Sequence, residues 1–327
     1  MKAGALLVYV GWRLLQALPV ILGVMILCFL LLQLAPGDMA MVLAGEAGGA
    51  PPGFIEALRA KYGLDKPVLV QLFLYLKNVL MLDMGFSFRH NAPVLNLLLG
   101  RLGPTLLLMG TTLALSLGLG VLAGLLASLW VGTWKDHLIS ITAVVAYATP
   151  LFWVGLMLIL TFSIKLDWFP TSGMEDVVAF NEGFARVIDI ARHLVLPSIT
   201  LSLFYMALYA RLMRATMLEQ RGLEYVTTAR AKGLTERRIT MRHMLRNALL
   251  PVLTMAGVQV GGLLGGSVVV ESVFAWPGLG QLAFEALFSR DFNLLLGIFF
   301  LSACLVVAVN IVVDVLYVIL DPRIRIG

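Results

Sequence analysis

Six runs of about 20 apolar residues constrain this chain more than any other feature of its sequence. In lipid, only a helix or a closed barrel satisfies its own backbone polar groups, and a helix of about 20 residues crosses the hydrocarbon core. With 60% hydrophobic and 13% charged residues, the 327-residue chain lies outside the range of soluble domains. We therefore predict an all-α integral membrane protein with six transmembrane helices, in the runs 14–34, 104–130, 139–164, 196–213, 250–272 and 294–319.

Three of these runs carry a local feature of their own. The first is longer than the apolar core of a secretory signal and lacks a small-residue cleavage site, so we interpret it as a retained anchor helix. Thr149-Pro150 predicts a kink in the third run. Arg211 and Arg214 shorten the fourth, and long basic side chains of this kind can reach back to the interface.

The distribution of charge predicts the orientation. With the N-terminus inside, the inner segments hold 14 Lys and Arg residues against six acidic residues, nine of the basic ones between Arg211 and Arg246. This divides the net charge of +5 into +8 inside and −3 outside. Because basic loops stay in the cytoplasm, both termini are expected there. The basic balance indicates contact with anionic membrane lipid rather than with nucleic acid.

These spans divide the chain into three parts. Residues 1–34 form the N-terminal anchor helix, and residues 35–101 form a long extracytoplasmic segment between helices 1 and 2. An amphipathic run within it, residues 68–82, is too short to span and predicts an interfacial helix. Residues 102–327 form a core of five helices, which includes the basic cytoplasmic loop 214–249.

The sequence contains no recognisable catalytic set. It has no phosphate-binding G-x-x-x-x-G-K-[ST] stretch and no His or Cys spacing typical of a metal site. The span interiors are nearly free of ionisable groups, with Asp314 as the exception, whereas a proton-coupled carrier buries such groups near the midplane. We expect no enzymatic activity, no bound cofactor or metal, and an energy source outside this chain.

The loop 214–249 contains the most specific local pattern. Residues 223–232 favour a short helix, and Gly233 can adopt the left-handed conformation that ends it, with Leu234 as the apolar contact. Thr235 is a candidate N-cap of a second helix, with Glu236 in its first turn. The pattern predicts a short helix across the base of the bundle. An ordinary basic amphipathic loop on lipid headgroups is the alternative.

These residues carry a resemblance to a known family. The loop resembles the cytoplasmic loop of ABC-importer permeases, a Glu-Ala-Ala, three residues, Gly pattern followed by Leu-Pro. Ala229, Gly233 and Leu250-Pro251 match it, while Thr227 and Thr228 stand at its first two positions. The sequence of residues 224–234 and 246–251 closely resembles that of the dipeptide/oligopeptide/nickel permeases. The long segment after helix 1 resembles that of their first, B-type subunit. Further similar stretches are 63–67, 194–197, 271–280, 290–291 and 321–323.

The resemblance implies a permease subunit of an ATP-driven importer in a bacterial or archaeal cytoplasmic membrane. It implies a second, non-identical permease, two cytoplasmic ATPase subunits that bind ATP and Mg, and an extracytoplasmic solute-binding protein. Di- and oligopeptides are the expected substrates, with nickel complexes or oligosaccharides as alternatives and a self-sufficient channel or secondary carrier as the alternative class. The expected ATPase-coupling residues are Glu224, Tyr225, Thr228, Ala229, Arg230, Lys232, Gly233 and Leu234.

Glycine spacing supplies a second candidate site. Gly257, Gly261 and Gly265 recur every four residues in the fifth span, and Gly120 and Gly124 form a similar pair in the second. Such small faces let helix backbones approach closely, so each is a surface for packing within the bundle or for the translocation pathway. Glu271 and Asp314 are candidates for gating or for a structural role.

Overall fold

The computed structural model describes residues 3–34, 53, 56, 60, 65–87 and 89–320. Most of this part of the chain is helical. The predicted extracytoplasmic segment falls partly outside it, as do residues 321–323 and the side chain of Asp314. The helices are α1 (Ala3–Leu34), α2 (Val68–Leu80), α3 (Val94–Leu129), α4 (Trp134–Ala148), α5 (Leu151–Lys165), α6 (Gly183–Arg221), α7 (Glu224–Ala231), α8 (Glu236–Val273), α9 (Leu279–Ser289) and α10 (Phe292–Leu320).

The prediction of a helical membrane protein is confirmed. In the described part of the chain, α1, α3, α6, α8 and α10 each contain a segment long and apolar enough to cross a membrane, and α4 with α5 makes a sixth if the bent pair is one span. The helices extend beyond the apolar runs, since α6 has 39 residues and α8 has 38. The inside–outside orientation stays a prediction from the charges.

The third span is broken where Thr149-Pro150 predicted a kink. Helices α4 and α5 meet at an angle of 105°. Thr149 has the extended backbone (φ −80°, ψ 131°) that a following proline favours, and Pro150 immediately precedes the first residue of α5. The bend is therefore a local consequence of the proline, and the pair forms a broken span or a re-entrant loop.

The seam between α3 and α6 is the surface where these helices approach closely at Gly120 and Gly124. A Cβ on Gly120 would lie 2.7 Å from Cβ of Tyr209 and 2.9 Å from the carbonyl oxygen of Met206. On Gly124 it would lie 2.6 Å from Cβ of Met213, and closer still to the carbonyl oxygen of Ala210. This glycine pair is thus a packing surface within the chain, as one of the two interpretations predicted.

A small antiparallel pair, Phe86–Ser87 (β1) with Ala92–Pro93 (β2), precedes α3. Sequence analysis did not predict this pair. The hydroxyl of Ser87 donates to the Asp291 carboxylate, whose other oxygen accepts the backbone N–H of Leu294 at 3.1 Å in the first turn of α10. The amide of Asn293 donates to the carbonyl oxygen of Phe86 at 3.2 Å. The pair therefore fixes the start of α10 against the start of α3.

Helix α2 forms where the amphipathic run predicted an interfacial helix. It packs on α1 through the stacked rings of Phe29 and Tyr75, whose centroids are 5.7 Å apart, and through a 2.7 Å hydrogen bond from Gln33 to Gln71. Its residues Leu69 and Phe73 point away from the bundle and are largely exposed. The helix is confirmed, and its position at the membrane interface stays a prediction.

Candidate coupling helix and membrane-embedded site

The short helix of the cytoplasmic loop is present where the sequence predicted it. Helix α7 runs from Glu224 to Ala231, and Gly233 follows with φ +76°. The N–H of Gly233 donates to the carbonyl oxygen of Arg230 at 2.9 Å, and that of Leu234 to the carbonyl oxygen of Ala229 at 3.2 Å. This is the Schellman arrangement, in which a left-handed glycine ends a helix.

One face of α7 packs against the helix bundle, and the other is exposed. Val226 and Ala229 are buried in the same cluster as Ile239 of α8, and Leu234 packs against that cluster. The hydroxyl of Tyr225 donates to Gln220 of α6 at 2.6 Å. The remaining polar side chains of the helix and its C-terminal turn are exposed: Glu224, Thr227, Thr228, Arg230 and Lys232.

An ion pair joins α7 to the next helix. Nε of Arg230 lies 2.7 Å from Oε1 of Glu236, and its second nitrogen lies 3.3 Å from Oε2. The hydrogen bond to this carboxylate raises the pKa of Arg230. Thr235 precedes the helix as predicted, but its side chain makes no capping hydrogen bond. Helix α8 also begins 15 residues before Pro251, where the sequence had placed the start of the fifth span.

A second ion pair, which the sequence did not predict, lies between α4 and α6. The guanidinium of Arg214 binds Asp136 with two hydrogen bonds of 2.7 and 2.8 Å, and the Asp136 side chain is only 2% exposed. The N–H of Gly132 donates to the same carboxylate at 3.1 Å. Arg214 therefore closes a contact between two helices. Sequence analysis did not predict this pair, because the two residues are 78 positions apart in the chain.

Glu271 is a fully buried structural anchor at the end of α8. Its carboxylate accepts hydrogen bonds from the hydroxyl of Thr105, at 3.1 Å, and from the N–H of Gln281 in the first turn of α9, at 2.9 Å. Thr105 in turn accepts the N–H of Leu279 at 2.7 Å. A side chain on Gly278 would occupy the space of the carboxylate. The Glu271 carboxylate thus positions α9, so the geometry supports the structural alternative.

The three glycines of α8 that recur every four residues have different surroundings. A Cβ on Gly257 would collide with the side chain of Val313 in α10. On Gly261 it would lie 4.0 Å from Val306, and on Gly265 nothing lies within 4 Å. Gly257 is therefore a packing position, whereas Gly265 is open. Across the described ranges, no group of three or more His, Cys, Asp or Glu side chains could hold a metal ion.

Comparison with known proteins places these features in a family. Residues 117–326 match the model of the binding-protein-dependent transport system inner membrane component, and residues 6–109 match that of its N-terminal part. The chain is 40% identical over 320 residues to the oligopeptide transport system permease protein AppB of Bacillus subtilis, covering 97% of this chain and 99% of the relative. It is 38% identical to the glutathione transport system permease protein GsiC of Escherichia coli, covering 97% and 98%.

A solved structure has the same fold. A chain of the MetNI methionine ABC transporter, determined in inward-facing conformations, superposes with a TM-score of 0.56 over 69% of this chain and 96% of that one, at 17% identity. The fold is thus that of an ABC-transporter permease. The molecule is a multi-pass membrane protein of the permease class and not an enzyme.

Proposed function

The chain belongs to the family of binding-protein-dependent transport system inner membrane components, and from this premise we propose that it is a permease subunit of an ATP-driven importer of di- and oligopeptides. Its relatives' names support the substrate class, since they include oligopeptide and glutathione permeases. Nickel complexes and oligosaccharides stay alternatives from the sequence resemblance. The proposed location is the cytoplasmic membrane of a bacterium or archaeon.

The proposed complex has the partners that the sequence resemblance implied. A second, non-identical permease encloses the pathway with this chain, and an extracytoplasmic solute-binding protein delivers the substrate. Two cytoplasmic ATPase subunits bind ATP and Mg. The chain itself supplies the membrane path and the contact through which ATP binding shifts its conformation.

The observation that carries this proposal is the anchored short helix α7 with its free polar face. Val226 and Ala229 hold α7 on the bundle, and the Arg230–Glu236 ion pair joins it to α8. Helix α8 then continues for 38 residues to Val273, beside the Glu271 anchor of α9. A force applied to α7 by an ATPase is therefore transmitted along one continuous helix to the opposite end of the molecule.

Such coupling requires contacts that differ between two conformations of the importer. We assign the ATPase contact to the exposed residues Glu224, Thr228, Arg230 and Lys232, together with the Gly233 turn. Their mixture of charges and hydroxyls suits a polar protein groove. The open face of α8 at Gly261 and Gly265 is assigned to the pathway or to the second permease, because no part of the described chain covers Gly265.

A substitution at Gly233 tests this assignment. Tryptophan there would have to adopt φ +76° and would project from the turn, because no atom beyond the neighbouring residues lies within 4 Å of a Cβ at this position. We expect the Gly233→Trp complex to assemble but to lose ATP-driven peptide uptake in reconstituted vesicles. Gly183→Trp is the matched control, since Gly183 also has a left-handed backbone (φ +57°) and open space but begins α6, in the segment that the charge distribution predicts to lie outside. Normal uptake by Gly233→Trp would refute the coupling role.

A further inference from the structure

Two polar side chains, those of Gln259 and Tyr205, meet beside a glycine of α8. A Cβ on Gly262 would lie 3.2 Å from Oε1 of Gln259 and 3.3 Å from the hydroxyl of Tyr205. One on Gly266 would lie 3.6 Å from the same hydroxyl. The absence of side chains at the two glycines therefore leaves room beside these polar groups.

The cluster lies at the centre of the membrane. Tyr205 is near the middle of the apolar run 196–213, and Gly262 is near the middle of the run 250–272. Because the Tyr205 hydroxyl is beside Gly262, the centres of the two spans lie at the same depth. Polar groups at this depth are expensive in lipid and typically mark a pathway or a binding site.

The hydrogen-bonding capacity of the cluster is largely unused. Tyr205 is only 4% exposed, and its hydroxyl makes no hydrogen bond within the described part of the chain. The Gln259 amide nitrogen reaches the sulfur of Met255 at 4.0 Å, which is a weak interaction. A buried polar group without a partner costs free energy, so a native site of this kind calls for a further ligand.

The cluster is accessible from the open face of α8. Gly262 and Gly265 are both exposed, and Gln259 is half-buried beside them. If this face met lipid, the half-buried Gln259 side chain would border hydrocarbon, where an unsatisfied amide costs several kcal/mol. A face that combines open glycines with polar groups at the midplane suits a passing polar chain far better than it suits lipid.

We propose that Tyr205 and Gln259 form a midplane subsite that accepts hydrogen bonds from the backbone N–H groups of the transported peptide. The inference rests on the proposed function and assigns its substrate contact to these residues. Each group is neutral, and each has an oxygen that can accept a hydrogen bond from a peptide N–H. Neutral hydrogen bonds to the backbone recognise a peptide without reading its side chains and are weak enough to release it.

The test measures uptake of two probes by the assembled importer in vesicles. The probes are tri-alanine and the same tripeptide methylated on both peptide nitrogens, which removes its backbone donors and keeps its carbonyls. The variants are Tyr205→Phe and Gln259→Leu, which remove acceptors while nearly preserving volume. Tyr75→Phe is the control, because Tyr75 also has a buried hydroxyl without a hydrogen-bond partner in the described part of the chain but lies on α2.

The expected result is a selective loss. Each variant lowers tri-alanine uptake per ATP hydrolysed by about 3- to 10-fold, the value of one neutral hydrogen bond, and leaves the methylated probe nearly unchanged. Equal loss for both probes would indicate a structural role and overturn the subsite, and so would no loss for either. Failure of the wild-type complex to move tri-alanine with ATP would instead contradict the proposed peptide importer itself.

Discussion

Replacing Gly124 by alanine tests whether the α3–α6 seam is a rigid packing surface. The new Cβ would lie 2.6 Å from Cβ of Met213 and 3.0 Å from the backbone nitrogen of Arg214. Real Cβ atoms essentially never come closer than 3.0 Å, so the first contact is short by 0.4 Å. The nearest obstacle, the carbonyl oxygen of Ala210, belongs to backbone and cannot rotate away. The helices must therefore separate.

The magnitude follows from two opposing effects. Overpacking a tight interior costs about 1–3 kcal/mol, while alanine in place of glycine within a helix gains about 1 kcal/mol. Gly118→Ala is the matched control, because Gly118 lies on the same helix, is exposed, and has nothing within 4 Å. Gly118→Ala gains the helix propensity of alanine without a steric clash. The free energies of unfolding of the two variants should therefore differ by the overpacking cost alone.

The assay is thermal unfolding of the purified protein in detergent, followed by circular dichroism. At about 2 °C per kcal/mol for a chain of this size, the Tm of Gly124→Ala should lie about 2–6 °C below that of Gly118→Ala. Equal Tm values, or a more stable Gly124→Ala, would refute the close packing of α3 on α6.

Three further predictions concern other contacts. Glu271→Ala should lower the free energy of unfolding by about 1–3 kcal/mol, because the backbone N–H of Gln281 loses its acceptor. Glu271→Gln keeps an acceptor oxygen and should cost less, and thermal unfolding distinguishes the two variants. Arg214→Ala should destabilise by about 1–3 kcal/mol by leaving Asp136 unpaired, and Arg214→Ala with Asp136→Ala should cost less than the sum of the single changes in a double-mutant cycle. Gly265→Ala should leave Tm unchanged or raise it by about 2 °C, since alanine favours the helix and the site is open, and a fall in Tm would show hidden packing there.

Features set by local sequence were predictable from the chain. The apolar runs indicated the spans, Pro150 indicated the break between α4 and α5, and Gly233 indicated the end of α7. Each depends on a few neighbouring residues and on a strong local rule, such as the missing N–H of proline or the conformational freedom of glycine.

Features set by distant residues were not predictable. Glu271 and Thr105 are 166 residues apart, so nothing in the local pattern indicated that this carboxylate positions α9. The roles of the glycines likewise depended on neighbours in space, since the same spacing accompanies packing at Gly124 and open surface at Gly265. The second helix of the loop begins at Glu236 as predicted, but its continuity with the fifth span was not, because apolar composition does not reveal a helix that continues beyond the apolar run.

The most direct test of the central claim compares transport by the single chain with transport by the assembled complex. The chain is purified from its native membrane and reconstituted into vesicles, alone and with the proteins that co-isolate with it. Our account predicts co-isolation of two ATPase subunits and a second permease, and peptide uptake only by that complex when ATP and the solute-binding protein are present. Uptake by the chain alone, without ATP, would contradict it and indicate a self-sufficient channel or carrier.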